Sequence, residues 1–172
     1  MLLSLSQSLK SPKGIKAVRG CQWVTTCPTP SYALNTAQKV KGVQKKGLVY
    51  QDQVVRQLEE RYPNWIGVPG LWFKFSDFHG DRYAQADWIG FNWETGVLVI
   101  VEVKLSRVVN AWWQLNSLYK PLVERVFPGW NIALLEVVHR IYAVDLPEDV
   151  AVVHSLNDVK VGMTSLMRVR YG

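Results

Sequence analysis

Several common signatures of function are missing from this 172-residue chain. It has only two cysteines, Cys21 and Cys27, with no second cysteine pair and no histidine at zinc-finger spacing, so a structural zinc site is not expected. It also has no GxGxxG, GxxxxGKS/T, HExxH or GxSxG motif. These absences argue against P-loop nucleotide hydrolysis and against serine-hydrolase chemistry.

Long apolar runs are missing as well. The longest, Val97–Val101, is far shorter than the ~18–20 residues needed to cross a bilayer. Met1–Leu5 is apolar but too short for the ~7–15-residue apolar region of a secretory signal. We therefore expect no membrane contact and a cytoplasmic location.

Acidic residues are absent from the first third of the chain. Residues 1–51 contain eight of the twenty lysines and arginines and none of the fourteen acids, and the net charge of the chain is +6. Because Pro and Gly recur in residues 1–35, this stretch is predicted to be poor material for helices and strands. The sequence thus predicts a basic, flexible arm over 1–35 and a folded domain over 36–172.

The lysines of the first third suit sequence-independent contact with a polyanion such as nucleic acid. The alternative, a solvated tail without a partner, fits the charge equally well. Four of these lysines lie near the start of the predicted domain and are the candidate nucleic-acid contacts: Lys39, Lys41, Lys45 and Lys46.

The rest of the chain has an ordinary globular composition, 48% apolar and 20% charged overall, at a length that suits one α/β domain. Apolar spacing predicts helices over about 36–61 and 108–126, the second stopped or kinked around Pro121. A turn is predicted at 67–70 and a polar loop at 77–82. Strand patterns cover these segments: 71–76, 85–91, 97–105, 132–138, 141–144, 150–153 and 167–171.

The strongest local prediction is a hairpin in which Asn92–Gly96 connects two strands. If the turn is centred in the middle of this loop, Asp87 faces Glu102 across the strand pair. Directly opposed residues have Cβ atoms ~4.5–5.5 Å apart on one face of the sheet. The two-residue period of a strand adds Gln85 and Lys104 to the same face.

Two carboxylates and a lysine at this spacing suggest phosphoryl chemistry. Ionised carboxylates ~5 Å apart repel by roughly 3 kcal/mol at an effective dielectric near 20, which a raised pKa or a bound hard cation can offset. Mg²⁺ fits because it prefers oxygen ligands, keeps several waters and often completes its shell with substrate phosphate. In that case Lys104 would orient water or stabilise charge on the phosphate. The alternative is that Asp87, Glu102 and Lys104 are ordinary polar positions of a hairpin.

The segment Gln85-Ala86-Asp87, fourteen further residues and then Glu102-Val103-Lys104 resembles the PD-(D/E)xK nuclease superfamily. The flanks are similar too, since Gly47–Tyr50 resembles the opening of the family's first helix and residues 113–121 resemble the helix after the catalytic strand. The resemblance covers about Gly47–Val138 and is greatest to small phage-encoded and RecB-like members. It implies a restriction-endonuclease-like mixed sheet flanked by helices.

The resemblance also implies roles for individual residues. Asp87 and Glu102 would be metal ligands, the Val103 carbonyl a backbone ligand and Lys104 the catalytic lysine. Gln114, on the following helix, would complete the catalytic set.

The chain departs from the family pattern in three ways. Ala86 stands in place of the proline of the motif's name. Gln51 stands where the first helix often carries a Glu, which removes one charge from a second metal site. Gln114 and Tyr119 are one residue further apart than in the QxxxY motif of RecB-like nucleases. Gln51 and Gln85 are kept as accessory candidates.

The expected activity is Mg²⁺-dependent endonucleolytic hydrolysis of DNA, with Mn²⁺ able to substitute. Two other interpretations stay open: a nuclease-fold nucleic-acid-binding module with weak or no cleavage, and a structural or interaction protein whose acids bind only a stabilising cation. A homodimer also stays open, and the resemblance suggests a phage-encoded protein in a bacterial cytoplasm. Trimming residues 1–35 is expected to weaken DNA affinity and its salt dependence while leaving the fold intact.

Overall fold

The apolar segments of the sequence form one mixed β-sheet. A computed structural model describes residues 17–36, 41–106, 108–140, 150–153, 156 and 166–170. The described strands are β1 (Trp23–Cys27), β2 (Ile66–Asp77), β3 (Gly80–Asn92), β4 (Val97–Lys104), β5 (Asn131–Val138), β6 (Val150–Val153) and β7 (Leu166–Arg170). They lie side by side in the order β1-β2-β3-β4-β5-β7-β6. Neighbours from β1 to β4 are antiparallel, and β4, β5, β7 and β6 run parallel.

Helices pack on both faces of this sheet. The described helices are α1 (Ser31–Thr36), α2 (Val43–Arg61), α3 (Val108–Trp113), a π-helical segment (Gln114–Tyr119) and α4 (Lys120–Val126). Val54 and Leu58 of α2 pack on one face, whereas Leu115 and Leu122 pack on the other. This confirms the predicted α/β class with a mixed sheet flanked by helices. None of the helices in the described ranges is long and apolar enough to cross a membrane.

β4 is the central strand of the sheet, and both of its faces are covered. Residues Val97–Val103 are all buried. Val99 and Val101 pack toward α2, while Leu98 and Ile100 pack toward the π-helical segment and α4. An apolar run without alternation is typical of a strand that is buried on both faces.

The hairpin between β3 and β4 has the predicted register. Trp88 pairs with Val101, and the ladder continues to the turn. Gly96, at the end of the turn, has a φ of 68°, which glycine adopts without strain. The same register extended by one residue brings Asp87 level with Glu102.

The predictions around β2 are wrong in two places. The predicted turn at 67–70 is part of β2, and the predicted loop at 77–82 reduces to a two-residue turn before β3. Glycine is needed at position 67 of this strand because a Cβ there would lie 2.7 Å from the Trp88 indole nitrogen. The glycine therefore makes room for a core side chain rather than a chain reversal.

Both predicted helices are observed with different boundaries. The first begins only at Val43, after Gly42 with a φ of 62°, and it continues through Gly47. The second is divided by its π-helical segment rather than stopped at Pro121, which lies in the first turn of α4. Residues 37–40 and the predicted strand over 141–144 lie outside the described residues.

The N-terminal third contributes to the sheet, which corrects the prediction for residues 1–35. β1 pairs with β2 over its whole length, from Trp23 opposite Ser76 to Cys27 opposite Trp72. Pairing with β2, rather than a strong strand pattern in its own sequence, keeps this segment in a strand. Residues 1–16 lie outside the described residues.

Asp77 fixes the N-terminal segment to the β2–β3 hairpin. Its carboxylate accepts the N–H groups of His79 at 2.9 Å and Arg19 at 3.2 Å, and it pairs with the Arg82 guanidinium. Burial by itself would raise the pKa of Asp77, but the Arg82 hydrogen bond and the two N–H donors hold this pKa below its usual value. Arg82 also donates to the Ala17 carbonyl at 3.3 Å.

Removing residues 1–35 is therefore expected to destabilise the protein, whereas removing residues 1–16 leaves the described contacts in place. Loss of β1 exposes the edge of β2 and uncovers the core beneath Val18 and Val24. We expect the longer truncation to lower Tm by roughly 5–10 °C, for a loss of about 2–3 kcal/mol. Thermal unfolding followed by circular dichroism measures both truncations, and equal Tm values for the two would contradict the docking of β1.

Candidate active site

Two acidic side chains meet where the β3–β4 ladder ends. The last pair is Trp88 with Val101, and beyond it Asp87 Oδ2 accepts the Val103 N–H at 2.7 Å. The Asp87 carboxylate thus takes the place of a main-chain carbonyl as the acceptor of the Val103 N–H. This hydrogen bond holds the Asp87 side chain against β4, beside Glu102.

Glu102 follows Leu98 and Ile100 on the face of β4 that α4 covers, and it is 1% exposed. Its Oε1 lies 2.5 Å from Lys104 Nζ. Its Oε2 is buried and has no hydrogen-bond partner among the residues that the structure describes. A buried carboxylate oxygen in this position costs free energy unless a proton, a cation or a ligand satisfies it. The Lys104 side chain is 29% exposed, so solvent and small ligands can approach the cluster from its side.

A third acid, Glu136, lies beside Glu102 on the neighbouring strand. β4 and β5 are parallel, and their register pairs these two residues directly. Glu136 is completely buried. Glu136 is not among the predicted site residues, although the sequence carries a signal for it. It is the one charged residue in the apolar run 132–138, as Glu102 is in 97–103.

Burial and mutual repulsion change the ionisation of these groups. Burial, followed by the Asp87 charge, raises the pKa of Glu102 to about 8. Burial also raises the pKa of Asp87, although the Val103 N–H and the Lys104 ammonium oppose it. For Lys104, burial works to lower the pKa, but the surrounding carboxylates outweigh it and the pKa is raised. At neutral pH the lysine is therefore an ammonium and Glu102 holds a proton.

Tyr119 and Gln114 reach the same cluster from the helical layer. Tyr119 Oη donates to the Gln85 carbonyl at 2.6 Å and accepts from Gln114 Nε2 at 3.4 Å. Burial, followed by the charges of Glu102 and Asp87, raises the pKa of Tyr119. The hydroxyl therefore stays protonated and acts as a fixed link between the helix and β3.

The π-helical segment explains how Gln114 and Tyr119 meet. A π-helix closes its hydrogen bonds between residues five apart, and the Lys120 N–H donates to the Leu115 carbonyl in that pattern. Residues five apart therefore approach one another, as residues four apart do in an α-helix. The extra residue between Gln114 and Tyr119 is absorbed by this local change of helix.

The side chains of the remaining predicted site residues do not join the acids. The Gln85 side chain is exposed and donates to the Gly70 carbonyl at 3.3 Å, so Gln85 contributes its main chain rather than its amide. Gln51 lies on α2, across the sheet from the helices that cover Glu102. The Val103 N–H is used by Asp87 and its side chain packs toward α2.

Three of the four predicted nucleic-acid contacts lie at or just before the start of α2. Lys41, Lys45 and Lys46 are exposed there. Lys39 lies outside the described residues.

The donor set suits a hard cation that shares its ligands with a substrate. Within the described part of the chain, no three His, Cys, Asp or Glu side chains gather closely enough to hold a metal ion by themselves. Asp87 and Glu102 offer carboxylate oxygens, and the buried Oε2 of Glu102 gains a partner when a cation binds. Mg²⁺ commonly binds through one or two carboxylates and leaves its other positions to water and phosphate. The residues present therefore fit Mg²⁺ in the company of a phosphate group.

No family model, curated protein or solved structure matches the chain. The function must therefore be inferred from the site itself.

Proposed function

We propose that this protein is a Mg²⁺-dependent endonuclease that hydrolyses DNA phosphodiester bonds, with a restriction-endonuclease-like fold of the PD-(D/E)xK type. The observation that carries the proposal is the cluster of Asp87, Glu102 and Lys104 at the end of one hairpin, with a buried Glu102 oxygen that a cation would satisfy. The order of helix α2, strands β2 to β4, the α3–α4 stretch and β5 agrees with the family arrangement that the sequence resembles.

Asp87 and Glu102 would hold Mg²⁺, and the Val103 carbonyl offers a further oxygen. When bound, this ion polarises the phosphoryl group and lowers the pKa of a water molecule. The Val103 N–H keeps the Asp87 carboxylate turned toward that position. Glu102 would release its proton on binding, because a ligand carboxylate must be ionised.

Lys104 has a different part in the reaction. Because the surrounding carboxylates raise its pKa, Lys104 carries a proton at neutral pH and is a poor general base. It can instead donate hydrogen bonds to the attacking water or to a phosphate oxygen as negative charge builds there. Cation binding at Glu102 would weaken the present contact between Glu102 and Lys104 and free the ammonium for this role.

Gln114 and Tyr119 support the comparison with RecB-like nucleases. These proteins have a QxxxY motif, and here the spacing is one residue longer. The π-helical segment still brings the Gln114 amide to the Tyr119 hydroxyl. Gln114 thereby contacts the Tyr119 hydroxyl, which adjoins the acids, and from this position its amide would orient water or phosphate.

A plasmid-nicking assay tests the proposal with Mg²⁺, with Mn²⁺ and with EDTA. We expect nicking that needs a divalent ion and that falls by about 10³-fold or more in Asp87→Ala and in Lys104→Ala. Asp81→Ala, an exposed position of β3, and Lys120→Ala, at the start of α4, serve as matched controls and should cut normally.

Other results of this assay would replace the proposal. DNA that shifts in a gel but is never cut would indicate a nuclease-fold binding module. If the wild type neither cuts nor binds DNA, the acids serve a structural or interaction role.

A further inference from the structure

A cleft of about 770 Å³ lies where β4 and β5 end, at the same end of β4 as the candidate active site. Its walls are the first half of α2 and the residues that directly follow β4 and β5. The lining includes Lys45, Lys46, Val49, Leu105, His139 and Arg140. The cleft opens on the α2 side of the sheet, whereas Glu102 faces α4.

The charge of the cleft favours an anion. Lys45, Lys46 and Arg140 are exposed at its walls. No acidic side chain is found among the described residues that line it. Three cations, with no carboxylate among the described residues of the lining, produce a positive potential that attracts phosphate groups.

The apolar part of the lining indicates that the ligand is more than a phosphate. Val43 is 76% exposed and Val49 is 49% exposed, which leaves apolar surface open in the cleft. The His139 ring stands edge-on to the Tyr50 ring, with centroids 5.2 Å apart. An inorganic anion gains nothing from these groups, but a nucleobase packs on apolar and aromatic side chains.

The size of the cleft favours an unpaired nucleotide over a duplex as its ligand. Its volume falls in the range of sites that enclose a small molecule. A base that is stacked and paired inside a duplex cannot enter such a recess unless it leaves the helix. The cleft therefore fits one unpaired nucleotide with its phosphate.

The cleft is joined directly to the strand that carries Lys104. Leu105 follows Lys104 in the chain, and two extended residues span at most about 7 Å. The His139 N–H donates to the Lys104 carbonyl at 3.1 Å, and the Arg140 N–H donates to the Leu105 carbonyl at 3.3 Å. A nucleotide in the cleft would thus lie next to the end of β4, the strand that carries Glu102 and Lys104.

We propose that this cleft binds one unpaired nucleotide of the DNA substrate, beside the bond that is cut, so that the substrate is single-stranded or locally opened DNA. The proposal rests on the proposed function, because it names the substrate class of the same site. Lys45, Lys46 and Arg140 hold the phosphate, and His139 with Val49 supports the base.

Fluorescence anisotropy in EDTA measures binding without cleavage. Three labelled probes are used: a 12-nucleotide thymidine strand, an abasic strand of equal length and a 12-base-pair blunt duplex. We expect the thymidine strand to bind at least about 10-fold more tightly than the duplex or the abasic strand. The double variant Lys45→Ala, Lys46→Ala should weaken strand binding about 10-fold or more and reduce the salt slope by about 1.

Two further variants separate the base from the phosphate. His139→Ala should weaken binding of the thymidine strand about 5–10-fold and leave the abasic strand nearly unchanged. Arg56→Ala, an exposed arginine of α2 outside the cleft, is the matched control and should bind all probes like the wild type. Melting temperatures verify that each variant is folded.

The outcomes distinguish this proposal from the proposed function. Equal affinity for strand and duplex, or equal behaviour of the lysine variants and the Arg56 control, would overturn the nucleotide cleft even if the protein cuts plasmid DNA. Strand-selective binding that depends on the cleft, with no metal-dependent cutting, would retain the cleft and reject the nuclease.

Discussion

Glu102→Gln is expected to abolish DNA cleavage and, at the same time, to make the metal-free protein more stable. Cleavage should fall by about 10³-fold or more because an amide cannot replace a carboxylate as a ligand for Mg²⁺. Stability should rise because the ionised form of Glu102 is unfavourable in the folded protein. The two effects have the same cause, a buried carboxyl group that is favourable in the folded protein only when a proton or a cation neutralises it.

The gain in stability has a defined pH dependence. Burial first, then the Asp87 charge, raises the pKa of Glu102 from 4.5 to about 8 in the folded state. The folded state therefore binds this proton more tightly than the unfolded state, and the wild type loses stability as the pH rises from about 4.5 to about 8. Glutamine has no such dependence, so the advantage of the variant should grow over this window and then level off, reaching about 2–4 kcal/mol.

Urea unfolding in EDTA at pH 5.5, 7 and 8.5 measures this difference. Addition of Mg²⁺ should stabilise the wild type, since a ligand that binds only the folded state adds to its stability, and should leave the variant unchanged. Glu94→Gln, an exposed position in the hairpin turn, is the matched control and should show neither effect. A Glu102→Gln protein that is less stable than the wild type at every pH would contradict the account of this site.

Gly90→Ala is expected to lower the free energy of unfolding by about 3 kcal/mol or more. Gly90 on β3 pairs with Gly67 on β2, and the Trp88 indole lies across both. A Cβ at position 90 would lie 2.2 Å from the Trp88 ring and 3.0 Å from the Trp65 ring. Trp88 is 1% exposed and packs in the α2 core, so it cannot move aside without opening that core.

A second glycine provides the control for Gly90. Gly47 lies inside α2, and a Cβ there would meet only a Leu105 methyl group at 3.7 Å. Gly47→Ala should therefore stabilise the protein by up to about 1 kcal/mol, through helix propensity. In urea unfolding the two substitutions should have opposite signs. Adding Trp88→Phe to Gly90→Ala should restore part of the loss, and a Gly90→Ala protein as stable as the wild type would refute the proposed clash.

The displacement of Trp88 would also affect the site, because Asp87 is its neighbour in β3. We expect Gly90→Ala to reduce cleavage even at temperatures where it is folded. Gly67 and Gly90 thus link the packing of the sheet to the position of Asp87.

Much of the candidate site follows from local sequence. The turn chemistry of Asn92–Gly96 specifies a hairpin, and the two-residue period of its strands then determines which side chains share a face. That is enough to predict that Asp87 lies beside Glu102 and that Lys104 is on the same face, in agreement with the Asp87–Val103 hydrogen bond and the Glu102–Lys104 contact. Both steps involve residues that are close in the chain, where geometry leaves few alternatives.

The errors arise where a neighbouring element outweighs local preference. β1 has a weak pattern of its own, yet it forms because β2 presents a free edge. Gly67 predicts a turn from the sequence, yet it lies in a strand. It is glycine there because the Trp88 indole occupies the space of a Cβ. The π-helical segment likewise follows from packing against β3 and not from any visible feature of residues 114–119.

By itself the sequence determined the hairpin, its register and therefore the position of Asp87 level with Glu102, because these depend on a turn and a repeat of two residues. Only the tertiary structure decided that Glu136 adjoins Glu102 and that His139 and Arg140 face Lys45 and Lys46. The parallel pairing of β4 with β5 and the packing of α2 join segments far apart in the chain, and such contacts depend on the whole fold rather than on any local pattern.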